Sequence, residues 1–150
     1  MKANGILVDR VLEVTDELVE VVARLLPQLS SAAVAPGRAG LEEIVASPNS
    51  TFLVARLASR DDVIVGMTTL ITYRIPAGRH AVIEDVVVDE AARGHGVGAA
   101  LVSEAVRLAR EQGALDANLT SRSSREAANR LYTRAGFVKR ETNVYRLILS

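Results

Sequence analysis

The sequence predicts an α/β (α+β) protein, one mixed and mostly antiparallel sheet flanked by helices, on two observations. First, the β-rich runs TFLVARL (51–57) and VIVGMTTLITY (63–73) stand on either side of Arg60, Asp61 and Asp62, as the arms of an antiparallel hairpin do. Second, an apolar run ending at Val88 leads through three glycines into a helical stripe and then to a short β-rich run at 116–120, a strand–helix–strand unit. A chain of 150 residues is the size of one domain, 1–150, and is long enough to bury a core without metals or disulfides.

Taken in order, Ile6, Leu7 and Val8 read as a first strand. Thr15 followed by Asp16 and Glu17 starts a helix whose apolar stripe, Leu18, Val21, Val22 and Leu25, is expected to stop at Pro27. The segment PQLSSAAVAPGRAG (27–40) reads as a mobile connection, with a short helix around Leu41, Ile44 and Val45. After the hairpin and the loop RIPAGRH (74–80), Ala81 to Val88 form a strand that is apolar except at Glu84 and Asp85. From Ala99, the residues Leu101, Val102, Ala105, Leu108 and Ala109 make a helical stripe, with Gly113 at its C-cap. Ser123 and Glu126 have the spacing of a capping box for a helix with Ala128, Leu131, Tyr132 and Ala135 on one face, ended by Gly136. FVKR (137–140) and VYRLIL (144–149) are expected to close the chain as strands.

Acidic and basic residues balance at 18 each, so the chain lacks the basic field that nucleic-acid or anionic-membrane partners need. There is no cysteine, which removes thiolate metal sites and a cysteine acyl-enzyme; two distant histidines give no zinc set, so no metal is expected. With no apolar run of membrane-spanning length and no signal-peptide pattern, a cytoplasmic protein without a membrane partner is the expectation.

The sharpest local signal is ARGHGVGAA (92–100). Glycines at 94, 96 and 98, where a strand hands over to a helix, leave bare main chain beside unpaired helix N–H groups, which suits a phosphate. A P-loop is excluded, because no glycine-lysine-serine or glycine-lysine-threonine follows. Gly94, Gly96 and Ala99 allow a relaxed dinucleotide fingerprint, but the acidic residue it needs at the end of the next strand is missing, since Asp116 begins that strand.

RGHGVG (93–98), with its arginine, two residues, glycine, one residue, glycine, resembles the signature of the GNAT superfamily of N-acetyltransferases. EAANRLYTRAGF (126–137) is similar to that family's alanine, two residues, leucine, tyrosine, three residues, glycine, phenylalanine ending. The resemblance implies six to seven strands with about four helices, two strands splaying apart at the cofactor, and acetyl-CoA as co-substrate. It implies pyrophosphate on the loop of Arg93, Gly94, His95, Gly96, Val97, Gly98 and Ala99, and pantetheine along the main chain of Val86, Val87 and Val88. Asn129 and Tyr132 would also meet the cofactor. Many relatives have an asparagine at the start of this last helix where this chain has Ser124 and Arg125, so the contact there is not carried over.

A lysine-like amine, with a pKa of about 10.4, is almost wholly protonated at neutral pH, so transfer needs a base or a water relay. Glu84 is preferred as base; Asp85 is the runner-up, and strand alternation puts the two on opposite faces. A backbone N–H near Val87 or Val88 is the expected oxyanion donor, and Tyr132 the expected proton donor to the leaving thiolate. Without cysteine, transfer is expected to be direct, in a ternary complex with an amine acceptor that the sequence does not identify. The acceptor could be a small molecule or a protein. Arg74, Arg79, Arg122 and Arg125 would suit an anionic one, although such scattered arginines are ordinarily surface residues. Homodimers are common in the family. The alternatives are an acyl-CoA sensor without turnover and an interaction domain using 27–40.

Overall fold

Apolar residues in alternation and in helical stripes, with capping residues between them, set the element order of the computed structural model, which describes residues 2–150. The strands are β1 (Lys2–Ala3), β2 (Ile6–Arg10), β3 (Ser50–Leu57), β4 (Val63–Ile75), β5 (Gly78–Val88) and β6 (Ala117–Asn118). The helices are α1 (Asp16–Leu29), α2 (Gly37–Ala46), α3 (Val97–Glu111) and α4 (Glu126–Arg134). Residues Met1–Thr120 form one compact unit and Ser121–Ser150 a second.

In the first unit the strands lie in sequence order across a single sheet, antiparallel from β1 to β5, with β6 parallel to β5. Both faces are covered. Leu18, Val21, Val22 and Leu25 of α1 and Leu41 of α2 pack with Phe52, Val54, Ile64, Met67 and Val87 in one cluster. Alternation turns Leu53, Leu70, Ala81 and Ile83 to the other face, the side of Leu101, Val102 and Ala105 of α3; all seven are buried. Burial on both faces explains why these strands read as nearly continuous apolar runs.

Several expectations need correction. Pro27 lies inside α1, which runs on to Leu29. The missing proline N–H forfeits one helix bond near the C-terminal end, yet Leu26 and Leu29 pack against the core and Ser30 N–H bonds Leu26 C=O at 3.1 Å, so tertiary burial outweighs the local preference. The loop expected at 74–80 is mostly strand, since β4 and β5 pair down to Ile75 and Gly78. α3 starts at Val97, two residues before Ala99. The box between Ser123 and Glu126 does not form: Arg125 is the N-cap of α4 and no side chain bonds there. In the second unit, residues 138–150 carry neither helix nor strand, so the two closing strands are absent. Apart from the two-residue edge segment β1, the sheet has five strands, and the expected six to seven are not matched. A β-rich composition marks a segment that fits a pleated surface, but it does not supply the partner edge.

Candidate functional site

The site candidates of the first unit run consecutively along β5, the turn after it and the start of α3. Within β5, Thr69 opposes Glu84 and Met67 opposes Val87, so Asp85 and Val86 share one partner residue in a bulge. Asp85 takes φ +53°, a left-handed conformation that aspartate tolerates better than most side chains. The bulge breaks the alternation expected of this strand. Glu84 and Asp85 are both exposed. Partial burial raises the Glu84 pKa above its ordinary value, and the nearby charge of Asp85 raises it further.

Beyond the bulge, Val87 is buried in the core cluster, while Val86 and Val88 are half-buried. β6 pairs with β5 only at Ala81 and Val82 and stops there, so the far half of β5 has no strand beside it on that edge among the described residues. Asp89 N–H bonds Val65 C=O on β4 at 2.8 Å, and in an antiparallel ladder the polar groups of successive residues point to opposite sides. The N–H of Val88 is thereby turned to the open edge. Its carbonyl, on the same side, accepts from Arg93 Nε at 3.4 Å.

The chain then makes one turn of 3-10 helix at Glu90–Ala92, capped by the Asp89 carboxylate, which accepts from Ala91 N–H at 3.2 Å. Gly94 and Gly96 both adopt φ +83°, which is the physical demand behind two of the three glycines. Gly96 is the N-cap of α3 and has no side chain to bond the helix amides. His95 does not do so either, because its Nδ1 lies 3.0 Å from the carbonyl of Ala92 and 3.1 Å from that of Arg93. From Gly94 to Ala99 no main-chain N–H has an acceptor among the described residues. A Cβ at Gly94 would meet nothing within 4 Å, so that position borders open space. Six amides at the positive end of a fifteen-residue helix, around exposed Gly94, Gly96 and Ala99, fit a pyrophosphate.

Three residues that position this turn escaped the sequence reading. A Cβ on Gly66 of β4 would lie 3.0 Å from Leu101 Cδ1 and Val97 Cγ1 and 3.1 Å from Val87 O, so the glycine lets the first turn of α3 sit down on the sheet. A glycine in the middle of an apolar strand was the available signal. From α1, Arg24 pairs with Asp89 at 3.3 Å, and Gln28 Oε1 accepts from Glu90 N–H at 2.9 Å. These contacts join residues more than sixty positions apart, and no local pattern announces them.

In the second unit, Asn129 and Tyr132 stand three apart on α4, hence as neighbours on its surface. Asn129 Nδ2 donates to the carbonyl of Arg122 at 3.0 Å, tying down the turn before the helix and leaving its side-chain oxygen without a donor among the described residues. Tyr132 is 8% exposed, and its ring meets Phe137 edge-on at 6.2 Å. Burial of the ring raises the pKa of its phenol, but the oxygen is not one of the buried polar atoms left without a partner. No group of three or more metal-ligating side chains occurs among the described residues.

The family model described as acetyltransferase (GNAT) family matches residues 18–137. No curated protein matches the chain. Among solved structures, an aminoglycoside acetyltransferase from an uncultured soil metagenomic sample aligns with a TM-score of 0.82 at 20% identity, over 98% of this chain and 97% of that one. An acetyltransferase of Trypanosoma brucei aligns at 0.75 and 24%, over 96% and 99%. Glucosamine-6-phosphate N-acetyltransferase from Arabidopsis thaliana aligns at 0.74 and 16%, over 95% and 97%. At these identities the likeness is one of fold.

Proposed function

The chain belongs to the acetyltransferase (GNAT) family, and from that premise we propose that it moves the acetyl group of acetyl-CoA directly to a primary amine in a ternary complex. One observation carries the cofactor side of this reading: the run of main-chain N–H groups from Gly94 to Ala99 without an acceptor among the described residues. It is supported by the unpaired edge of β5, where Val86 and Val88 offer main-chain groups to an extended thiol arm.

When bound, acetyl-CoA supplies an activated thioester carbonyl. Glu84 removes a proton from the acceptor ammonium, for which its raised pKa makes it a stronger base than an ordinary carboxylate. The Val88 N–H donates to the oxygen that becomes negative when the amine adds to the carbonyl. As the carbon–sulfur bond breaks, Tyr132 gives its phenolic proton to the departing sulfur, and the second proton that the nitrogen sheds on becoming an amide returns to the tyrosine through solvent. The amine nitrogen keeps the acetyl group.

Titrating acetyl-CoA into the purified chain while following its melting temperature tests the binding step, and a rise of several degrees at millimolar ligand is expected. Absence of any shift overturns the reading. Free-thiol release with a panel of amines tests the chemistry, with Glu84→Gln and Tyr132→Phe each slowing it. Binding without thiol release from any amine would make the chain an acyl-CoA sensor instead.

A further inference from the structure

The stretch that leads into the anion-binding amides carries the wrong charge for its task. Between Asp89 and Arg93 stand two carboxylates, Asp89 and Glu90, and one guanidinium, so by itself this stretch would repel a diphosphate. Glu90 is exposed and its charge is screened by solvent, whereas the Asp89 side chain is only 18% exposed. Asp89 is also fixed in place, because its Oδ1 accepts from Ala91 N–H at 3.2 Å.

Two guanidinium groups from elsewhere in the fold meet this turn. Arg60, at the end of a short 3-10 turn between β3 and β4, donates to the Ala91 carbonyl. Arg24 of α1 reaches the other Asp89 oxygen, Oδ2, at 3.3 Å, and the same nitrogen donates to the Ile64 carbonyl at 3.2 Å.

The main-chain amides mark where support ends and the site begins. The N–H of Asp89 bonds the Val65 carbonyl, that of Glu90 the Gln28 side chain and that of Ala91 the Asp89 carboxylate. Ala92 N–H bonds the Asp89 carbonyl at 2.8 Å and Arg93 N–H the Glu90 carbonyl at 3.4 Å, and only after them does the run without acceptors begin. None of these five bonds uses Arg24. An ion pair whose arginine is 52% exposed also adds little to stability. What the pair changes is the electrostatic potential at the turn.

We infer that Arg24 is a positioning residue for the co-substrate, acting through Asp89: it cancels the carboxylate that caps the turn, so that the cap and a bound diphosphate can coexist. That the anion is the diphosphate of acetyl-CoA rests on the transferase reading above.

The probes are acetyl-CoA and inorganic pyrophosphate, each titrated at fixed ionic strength while the amide NMR signals of Gly94, Gly96 and Gly98 are followed. Arg24→Met keeps most of the hydrocarbon stem and removes the charge. It is expected to raise both Kd values roughly tenfold while Tm stays within about 2 °C of wild type. Adding Asp89→Asn, whose side-chain oxygen still accepts from Ala91 N–H, should recover most of that loss, which a merely structural role for Arg24 would not allow. Asp89→Asn alone should bind both probes at least as tightly as wild type. An unchanged Kd in Arg24→Met, a double variant as weak as Arg24→Met, or weaker binding by Asp89→Asn alone overturns the inference. If the wild-type chain binds pyrophosphate but not acetyl-CoA, the transferase reading fails and the pyrophosphate series still decides the role of Arg24. If it binds neither, there is no anion for Arg24 to serve and the inference falls.

Discussion

Gly66→Ala is the sharpest structural test of how the anion-binding turn is held. The added Cβ would lie 3.0 Å from Leu101 Cδ1 and Val97 Cγ1 and 3.1 Å from the Val87 carbonyl oxygen, closer than nearly all real contacts of that kind. Neither side chain has room to retreat, since Leu101 is 0% and Val97 1% exposed. The first turn of α3 must therefore lift from the sheet by a few tenths of an ångström. Overpacking of this kind costs about 1–3 kcal/mol, partly offset by the better strand propensity of alanine, so a net loss of about 2 kcal/mol and a fall in Tm of roughly 4–8 °C are expected. The lifted turn carries the amides of Val97, Gly98 and Ala99, and weakening one charge-assisted hydrogen bond should raise the Kd for acetyl-CoA roughly tenfold. Thermal melts with and without ligand, with calorimetric titration, measure both effects. Val97→Ala removes one of the opposing methyl groups, so the double variant should be less destabilised than the sum of the two singles. A wild-type Tm and Kd for Gly66→Ala, or strict additivity in the cycle, would refute the idea that this close approach seats the turn.

Other consequences follow for protonation and packing. The charge of Asp85 helps to raise the Glu84 pKa, so Asp85→Asn, which keeps a residue suited to φ +53°, should move the acidic limb of kcat/KM to lower pH; an unmoved limb refutes the coupling. A raised carboxyl pKa in the fold means that Glu84 adds stability below about 4.5, its unfolded value, and that this is lost as pH rises through the folded value, so Glu84→Gln should remove that pH dependence from the Tm. Tyr132→Phe should lower kcat at least tenfold yet leave Tm nearly unchanged, whereas Phe137→Ala should lower Tm first, which melting curves beside thiol-release rates will separate. Ser121 Oγ is buried without a partner, so Ser121→Ala should leave Tm unchanged or raised; a clear fall would mean the hydroxyl is bonded in solution.

How much the sequence disclosed depends on whether the cause was local. Alternation and helical stripes gave the hairpin of β3 and β4, the α1 face and the α3 face, because each stripe records its own burial. The turn at 92–100 was legible because left-handed φ at Gly94 and Gly96 selects glycine at those positions. Pro27 misled because its local cost is set against the packing of Leu26 and Leu29, which lie in the three-dimensional core. The bulge at Asp85 was invisible for a related reason, since an extra residue in one strand is defined only against the register of its neighbour. The pairing of His80 with Asp116 joins two strands across a parallel connection, so neither residue's own surroundings in the chain point to the other.

The tyrosine, three residues, glycine, phenylalanine ending illustrates how one short motif can serve structure and chemistry together. α4 ends with Gly136 at φ +98°, the Phe137 N–H bonding the Tyr132 carbonyl at 3.0 Å and the Gly136 N–H bonding that of Thr133 at 3.1 Å. This is the two-bond glycine cap of a helix, and it is usually accompanied by an apolar contact between the residues that Phe137 and Tyr132 occupy here. The edge-on packing of those two rings is that contact. The spacing is therefore explained by helix termination alone, with no reference to a reaction. What termination leaves unexplained is the phenolic oxygen, because phenylalanine would pack against Phe137 in the same way. An oxygen retained on a ring that is 8% exposed, where helix capping has no use for it, is the part of the motif that needs another reason. The proton donation to the departing sulfur proposed above would supply one.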